Sequence, residues 1–98
     1  MNTKQQLKDS VNDIVHEIES EDFDAYEWAN EQLSVECVMR RPDGSFLGVE
    51  IAVTIGGPNI FVDTRENTVS GYWGGDQVER TYRDEGRLCQ ATEEMFNY

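Results

Sequence analysis

The fold is decided by residues 34–73, which read SVECVMRRPDGSFLGVEIAVTIGGPNIFVDTRENTVSGYW. Apolar and polar residues alternate through most of this stretch, as they do in β-strands with one buried face. Turn-forming residues interrupt the alternation at Pro42-Asp43-Gly44, at Gly56-Gly57-Pro58-Asn59 and at Glu66-Asn67. Proline presets φ and glycine accepts a positive φ, so the first two interruptions have a clear physical basis. The stretch therefore predicts four strands that meander as an antiparallel sheet.

The alternation and the turns predict the bounds of some strands and the side-chain faces of others. The first begins at Ser34, and one of its faces carries Val35, Cys37 and Met39. One face of the second carries Leu47, Val49, Ile51, Val53 and Ile55. The third strand is expected over Ile60 to Thr64 and the fourth over Thr68 to Trp73. Gly74-Gly75-Asp76 is expected to end the sheet.

Helical spacing appears on both sides of this stretch. A first helix is predicted over Thr3 to Ser20, with an apolar face of Leu7, Val11, Ile14, Val15 and Ile18. A second helix is predicted over Ala25 to Leu33, capped by Asp22 or Asp24, with an apolar side of Phe23, Tyr26, Ala29 and Leu33. A third should start at Asp84 or Glu85, with inward residues Leu88, Ala91, Thr92, Met95 and Phe96. The 98 residues thus predict one acidic α+β domain, residues 1–98, with helices covering one face of the sheet.

Acidic residues are concentrated in one part of the chain. The formal net charge is −12, and residues 9–39 contain ten carboxylates and no Lys or Arg. The ten are Asp9, Asp13, Glu17, Glu19, Glu21, Asp22, Asp24, Glu27, Glu31 and Glu36. A compact protein with this much charge of one sign repels itself, so we expect the charge to have a use.

The acidic stretch has two interpretations. A solvated helical face, or adaptation to high salt, would also explain many acids and few lysines. Both alternatives should spread the charge more evenly and mix cations into it. Carboxylates four residues apart on a helix lie about one pitch of 5.4 Å from each other, a spacing of the order found between phosphates. We therefore expect all ten acids to contact a basic, nucleic-acid-binding protein.

Residue types for catalysis are few. His16 is the single histidine, and Cys37 and Cys89 are expected to be reduced, small core residues, although one disulfide between them is an alternative. The glycine turns lack the spacing and the lysine of a phosphate-binding loop. No catalytic residue, metal site or cofactor is predicted. A small hydrolase would require His16 to meet Cys37 or Cys89 in one pocket with an acid.

Targeting signals are absent from the sequence. The N-terminal residues have no apolar core like that of a signal peptide, and no apolar run is long enough to span a bilayer. The expected location is therefore the cytoplasm, without direct binding to membrane or nucleic acid.

Two segments resemble a known family. They are Gly56-Gly57-Pro58-Asn59-Ile60-Phe61-Val62-Asp63-Thr64 and Gly71-Tyr72-Trp73-Gly74. Together they are similar to the signature GGPN-I/V-x-I/V-D/N-T…GYWG of short acidic proteins carried by bacteria and their phages, and the resemblance covers about the last two thirds of the chain. The family includes an anti-CRISPR protein that mimics DNA on a type I-C surveillance complex.

The resemblance implies inhibition without catalysis. The protein would act as a monomer in the bacterial cytoplasm and occupy the surface of a type I CRISPR complex that reads the protospacer-adjacent duplex. The acid-rich helices would make the contact, since the signature carries no catalytic residues. The alternative is an interaction module that does not mimic DNA, such as an antitoxin or a phage assembly factor, and that uses the sheet face or the aromatic turns.

Overall fold

A computed structural model describes residues 3–32 and 34–96. They form one small α+β domain with three helices and five strands. The helices are α1 (Thr3–Ile18), α2 (Ala25–Glu31) and α3 (Leu88–Phe96), and the strands are β1 (Ser34–Arg40), β2 (Phe46–Thr54), β3 (Asn59–Asp63), β4 (Thr68–Trp73) and β5 (Asp76–Thr81). The strands pair in chain order as one antiparallel sheet, so β1 and β5 are its edges.

The core lies between the helices and one face of the sheet. The predicted face of α1 is confirmed, since Leu7, Val11 and Ile18 are fully buried. This helix packs on β4 and β5, while α3 packs on β2 and α2. Gly71 allows the close approach of α1, because a Cβ at that position would lie 2.7 Å from Cδ1 of Leu7. All three helices therefore cover the same face, and the other face of the sheet is open.

The sheet has a fifth strand where the sequence predicts its end. Gly74, with φ of 62°, and Gly75 form a tight turn between the paired residues Trp73 and Asp76. The chain then runs back along β4 as β5, whose sequence is DQVERT. Only Val78 of this strand is buried. An edge strand with a single apolar residue has no alternating pattern, so the predicted count of four strands was too low.

Bulges change the predicted faces of β1 and β2. The pairing register shifts between Val35 and Cys37, so Val35 and Val38 both pack against the core. Cys37 is exposed, and its predicted place in the core was wrong. Near the end of β2 the register also shifts between Ala52 and Thr54, and Ile55, which follows the strand, is 55% exposed instead of buried. One extra residue in a strand reverses the faces that follow it, and alternation alone does not locate it.

The predicted apolar side of helix α2 is confirmed at Phe23 and Ala29, which pack against the core, but is wrong at Tyr26. The buried residues of the helix are Ala25 and Trp28, whereas Tyr26 is 44% exposed. The ring of Trp28 packs against Phe23, with centroids 5.8 Å apart. The predicted cap is confirmed at Asp24, whose Oδ1 accepts a hydrogen bond of 3.1 Å from the Glu27 amide. Leu33, predicted on the apolar side, lies outside the described residues.

The C-terminal helix begins later than predicted, at Leu88. The carboxylate of Asp84 still caps it, because Oδ1 accepts from the Leu88 amide at 2.7 Å and Oδ2 from the Cys89 amide at 3.3 Å. Arg87, with φ of 58°, turns the chain into the helix. The inward residues Leu88, Ala91 and Thr92 are buried as expected.

Removing this cap should destabilise the protein. In the variant Asp84→Ala, two amides of α3 lose their acceptor, and we expect the free energy of unfolding to fall by about 0.5–2 kcal/mol. Urea unfolding followed by circular dichroism measures the loss. Asp84→Asn retains an acceptor oxygen and should lose less, so equal losses in the two variants would contradict the capping role.

The residues of the family-like signature shape one end of the sheet. Gly56 and Gly57 have φ of 106° and 128°, and Asn59 accepts a hydrogen bond of 2.9 Å from the Gly56 amide. A Cβ on Gly57 would lie 3.5 Å from Nε1 of Trp73, so the two signature segments meet in space. Their role in this fold is to form and to pack turns.

Candidate partner-binding site

Five of the ten predicted site residues surround one hollow, which we call the acidic hollow. It lies between the end of α1 and α2 and has a volume of about 280 Å³. Its lining residues are Glu17, Ser20, Asp22, Phe23, Asp24, Glu27, Trp28 and Glu31. Five carboxylates and no Lys or Arg therefore face this hollow.

Local folding explains how these acids meet. Helix α1 ends at Ile18, and the amides of Ser20 and Phe23 bond back to carbonyls of the preceding turn. This tight connection allows α2 to begin at Ala25. Glu27 and Glu31 are four residues apart on α2, so about one helical pitch separates them. Buried Trp28, between them in sequence, anchors the helix to the core.

Ion pairs among the described residues do not neutralise the acidic hollow. Among residues 3–32 and 34–96, only Glu19 of the ten acids belongs to an ion pair. The five carboxylates of the hollow are exposed to water. Charges of one sign that line a concave surface reinforce one another's potential. The acidic hollow is thus suited to attract a cationic surface.

Three further acids lie near this region. Asp9 and Asp13 are exposed on α1 at the four-residue spacing that leads to Glu17, and Asp9 accepts a hydrogen bond of 3.0 Å from Gln5. Glu21 lines a neighbouring hollow of about 550 Å³ between the start of α2 and α3. That second hollow also contains Arg87, so its charge is mixed.

The remaining two acids, Glu19 and Glu36, are outside the acidic hollow. Glu19 connects the end of α1 to the segment after β5, because its Oε2 accepts 2.8 Å from the Arg83 amide and lies 3.7 Å from Arg83 Nε. Its side chain is only 20% exposed. Glu36 belongs to the edge strand β1 and accepts a hydrogen bond of 3.2 Å from Ser34. The ten acids therefore do not form one continuous surface around the hollow.

The residues considered for catalysis lie on three different elements. His16 is exposed on α1, Cys37 is exposed on β1, and Cys89 is half-buried on α3. None of them lines the hollows on either side of α2. In the described part of the chain, no group of three or more His, Cys, Asp or Glu side chains is arranged to hold a metal ion.

The two free thiols should differ in reactivity. Burial raises the pKa of the Cys89 thiol, which lowers its thiolate fraction at any given pH. Cys37 is exposed on the bulged strand. At pH 8 we expect Ellman's reagent to modify Cys37 at least about tenfold faster, because its thiol is exposed, whereas that of Cys89 is half-buried and has a lowered thiolate fraction. The variants Cys37→Ser and Cys89→Ser assign the rates, and equal rates would contradict the exposure of Cys37.

A second cluster of functional side chains lies on the open face of the sheet. It surrounds a depression of about 290 Å³, which we call the open-face hollow. The lining residues are Glu50, Phe61, Asp63, Glu66, Thr68, Ser70, Tyr72 and Glu79. No role was predicted for these acids. Alternation places Glu50 opposite the core residues of its strand, but the cluster also depends on β5, which was not predicted.

Comparisons with protein-family models, with curated proteins and with solved structures return no match. The resemblance of the two signature segments to a family of small acidic proteins therefore stays a hypothesis. Within residues 3–32 and 34–96, the helices are too short and too polar for any to be a membrane-span candidate. The fold defines the class of protein: it is a small acidic α+β domain with an open-faced five-stranded sheet.

Proposed function

We propose that this protein is a non-enzymatic inhibitor that mimics DNA and occupies the basic surface of a nucleic-acid-binding protein. The observation that supports the proposal is the acidic hollow, where five carboxylates from two helices and their connection converge without a lining cation. A protein that binds DNA draws much of its affinity from Lys and Arg contacts to phosphates. A rigid carboxylate surface competes for the same contacts.

The partner proposed first is a type I CRISPR effector complex in a bacterial cytoplasm. This choice rests on the resemblance of the signature segments, and the acidic hollow is the surface proposed to contact the complex. Asp9 and Asp13 extend the hollow along α1 and add to the contact. The protein acts as a monomer, with no cofactor and no chemistry of its own.

A capture experiment tests this function. The purified protein is immobilised and exposed to nuclease-treated lysate of bacteria that carry a type I CRISPR system. We expect it to retain the effector complex at about 50 mM salt and to release most of it by about 200 mM, as protein–DNA complexes do. Excess duplex DNA should also release the complex. A captured partner that remains bound through both treatments would contradict mimicry.

The second candidate is an interaction module that does not mimic DNA, such as an antitoxin or an assembly factor. The observation that favours it is Tyr72, which is 40% exposed on the open face of the sheet beside half-buried Phe61. Aromatic side chains are enriched at the centres of protein–protein interfaces. Binding through this face should depend on Tyr72 and be insensitive to charge changes in the acidic hollow.

A further inference from the structure

The open-face hollow combines two aromatic rings with carboxylates. Pairing of β3 with β4 sets Phe61 opposite Ser70 and Asn59 opposite Tyr72, so Phe61 and Tyr72 are diagonal neighbours. Their ring centroids are 6.3 Å apart and the rings are inclined by 59°. The helices lie on the other face of the sheet. Among the described residues, no helix therefore packs over these two rings.

Like charges face each other across this hollow. Glu50 of β2 is paired directly with Asp63 of β3. Opposed like charges in a sheet are destabilising, whereas opposite charges would stabilise the same pair. Asp63 is held in place because its Oδ1 accepts hydrogen bonds from the amides of Arg65 and Glu66, at 2.8 and 3.2 Å. The sheet therefore keeps an unfavourable pair that a bound cation would relieve.

Only part of the negative charge is balanced within the protein. Arg65 pairs with Glu66 at 2.9 Å. Glu79 accepts a hydrogen bond of 3.2 Å from the Ser70 hydroxyl, which leaves its charge in place. No Lys or Arg lines the hollow. Three of its four carboxylates thus have no cation beside them in the described structure.

We propose that the open-face hollow is a docking site for an extended, arginine-bearing segment of a partner protein. A guanidinium group stacks on exposed aromatic rings and forms hydrogen bonds with carboxylates through its planar set of donors. Tyr72 and Phe61 supply the rings, while Glu50 and Glu79 supply acceptors on either side. This surface is separate from the acidic hollow, since the helices that form that hollow cover the opposite face of the sheet.

The test uses a blocked hexa-arginine peptide and its citrulline analogue, which has nearly the same shape without the charge. The peptide is titrated into isotope-labelled protein at about 0.1 M salt, where surface attraction is partly screened. We expect saturable shifts of the ring resonances of Tyr72 and Phe61, and no such shifts with the citrulline peptide. Tyr72→Ala should weaken binding about fivefold through loss of the cation–π contact, while Tyr72→Phe should change it little.

Two double variants with the same net charge distinguish binding at the open-face hollow from attraction by the overall charge of the protein. Glu50→Gln with Glu79→Gln removes two carboxylates from the open-face hollow, and Glu27→Gln with Glu31→Gln removes two from the acidic hollow. We expect the first pair of substitutions to weaken peptide binding at least about fivefold more than the second. The first pair removes the carboxylates that are proposed to accept hydrogen bonds from the guanidinium groups of the peptide. Unfolding midpoints confirm that both pairs fold.

Three results would overturn the proposal. The first is equal weakening in the two charge variants, and the second is a set of shifts confined to α1 and α2. The third is spermidine binding as tightly as the peptide at the same rings, which would assign the site to a free polyamine. None of these results would contradict DNA mimicry, because that function is tested with the effector complex and depends on the other surface.

Discussion

Replacing Asp22, Glu27 and Glu31 together by lysine is expected to abolish binding to the proposed nucleic-acid-binding partner. Each replacement adds two units of charge, so the net charge rises from −12 to −6. A single neutralised surface charge costs only about 0–1 kcal/mol. Three reversed charges place like against like across the interface, and each such contact is costly. We expect the affinity to fall about 100-fold or more, measured by calorimetry or interferometry.

A matched control variant distinguishes the effect of the position of the charges from the effect of the net charge. Asp76, Glu85 and Glu93 line neither hollow, and replacing these three by lysine gives the same net charge. We expect this variant to retain most of its affinity. Equal losses in the two variants would show that net charge, rather than the acidic hollow, determines binding. Neither triple variant should unfold, because none of the six side chains is buried.

The largest expected effect on stability comes from Leu7→Ala. Leu7 is fully buried in α1, and its Cδ1 fills the space above Gly71 in β4. Truncation leaves a cavity at the main contact between helix and sheet, and such changes cost about 2–5 kcal/mol. This loss is a large share of the stability of a domain of this size. Urea unfolding, with the slope of the transition checked for constancy, measures it.

Two further variants confirm the reason for this loss. His16 is exposed on the same helix, and His16→Ala at pH 8 should change the free energy of unfolding by less than about 0.5 kcal/mol. Gly71→Ala should be less harmful in the Leu7→Ala background than alone, because its Cβ then meets less of the helix. Additive losses in the double variant would mean that Leu7 and Gly71 do not share this contact.

Most elements of the fold were predictable from the sequence because their apolar residues are periodic. Strand β4 has the predicted bounds, and the buried face of α1 is the predicted one. Strand β5 was missed because Val78 is its only buried residue and the rest of its stability comes from pairing with β4. Pairing of this kind depends on the neighbouring strand, which a local pattern does not contain.

The candidate site was predictable in composition and only partly in geometry. Four-residue spacing placed Glu27 and Glu31 on one helix, and the structure adds Glu17 from α1 to the same hollow. Glu19 is drawn away by Arg83, which is 64 residues distant in sequence. Contacts over such separations are set by the tertiary fold. For the same reason the open-face hollow, which collects residues from four strands, was invisible in the sequence.

The most direct test of DNA mimicry is a competition titration on a purified type I effector complex. Fluorescent duplex DNA with the protospacer-adjacent motif is bound first, and the protein is then added in increasing amounts. Mimicry predicts that the DNA is displaced in full at a stoichiometric ratio, and that the triple lysine variant of the acidic hollow displaces none. A ternary complex in which the protein and DNA bind together, or displacement that is unaffected by the triple variant, would contradict the account.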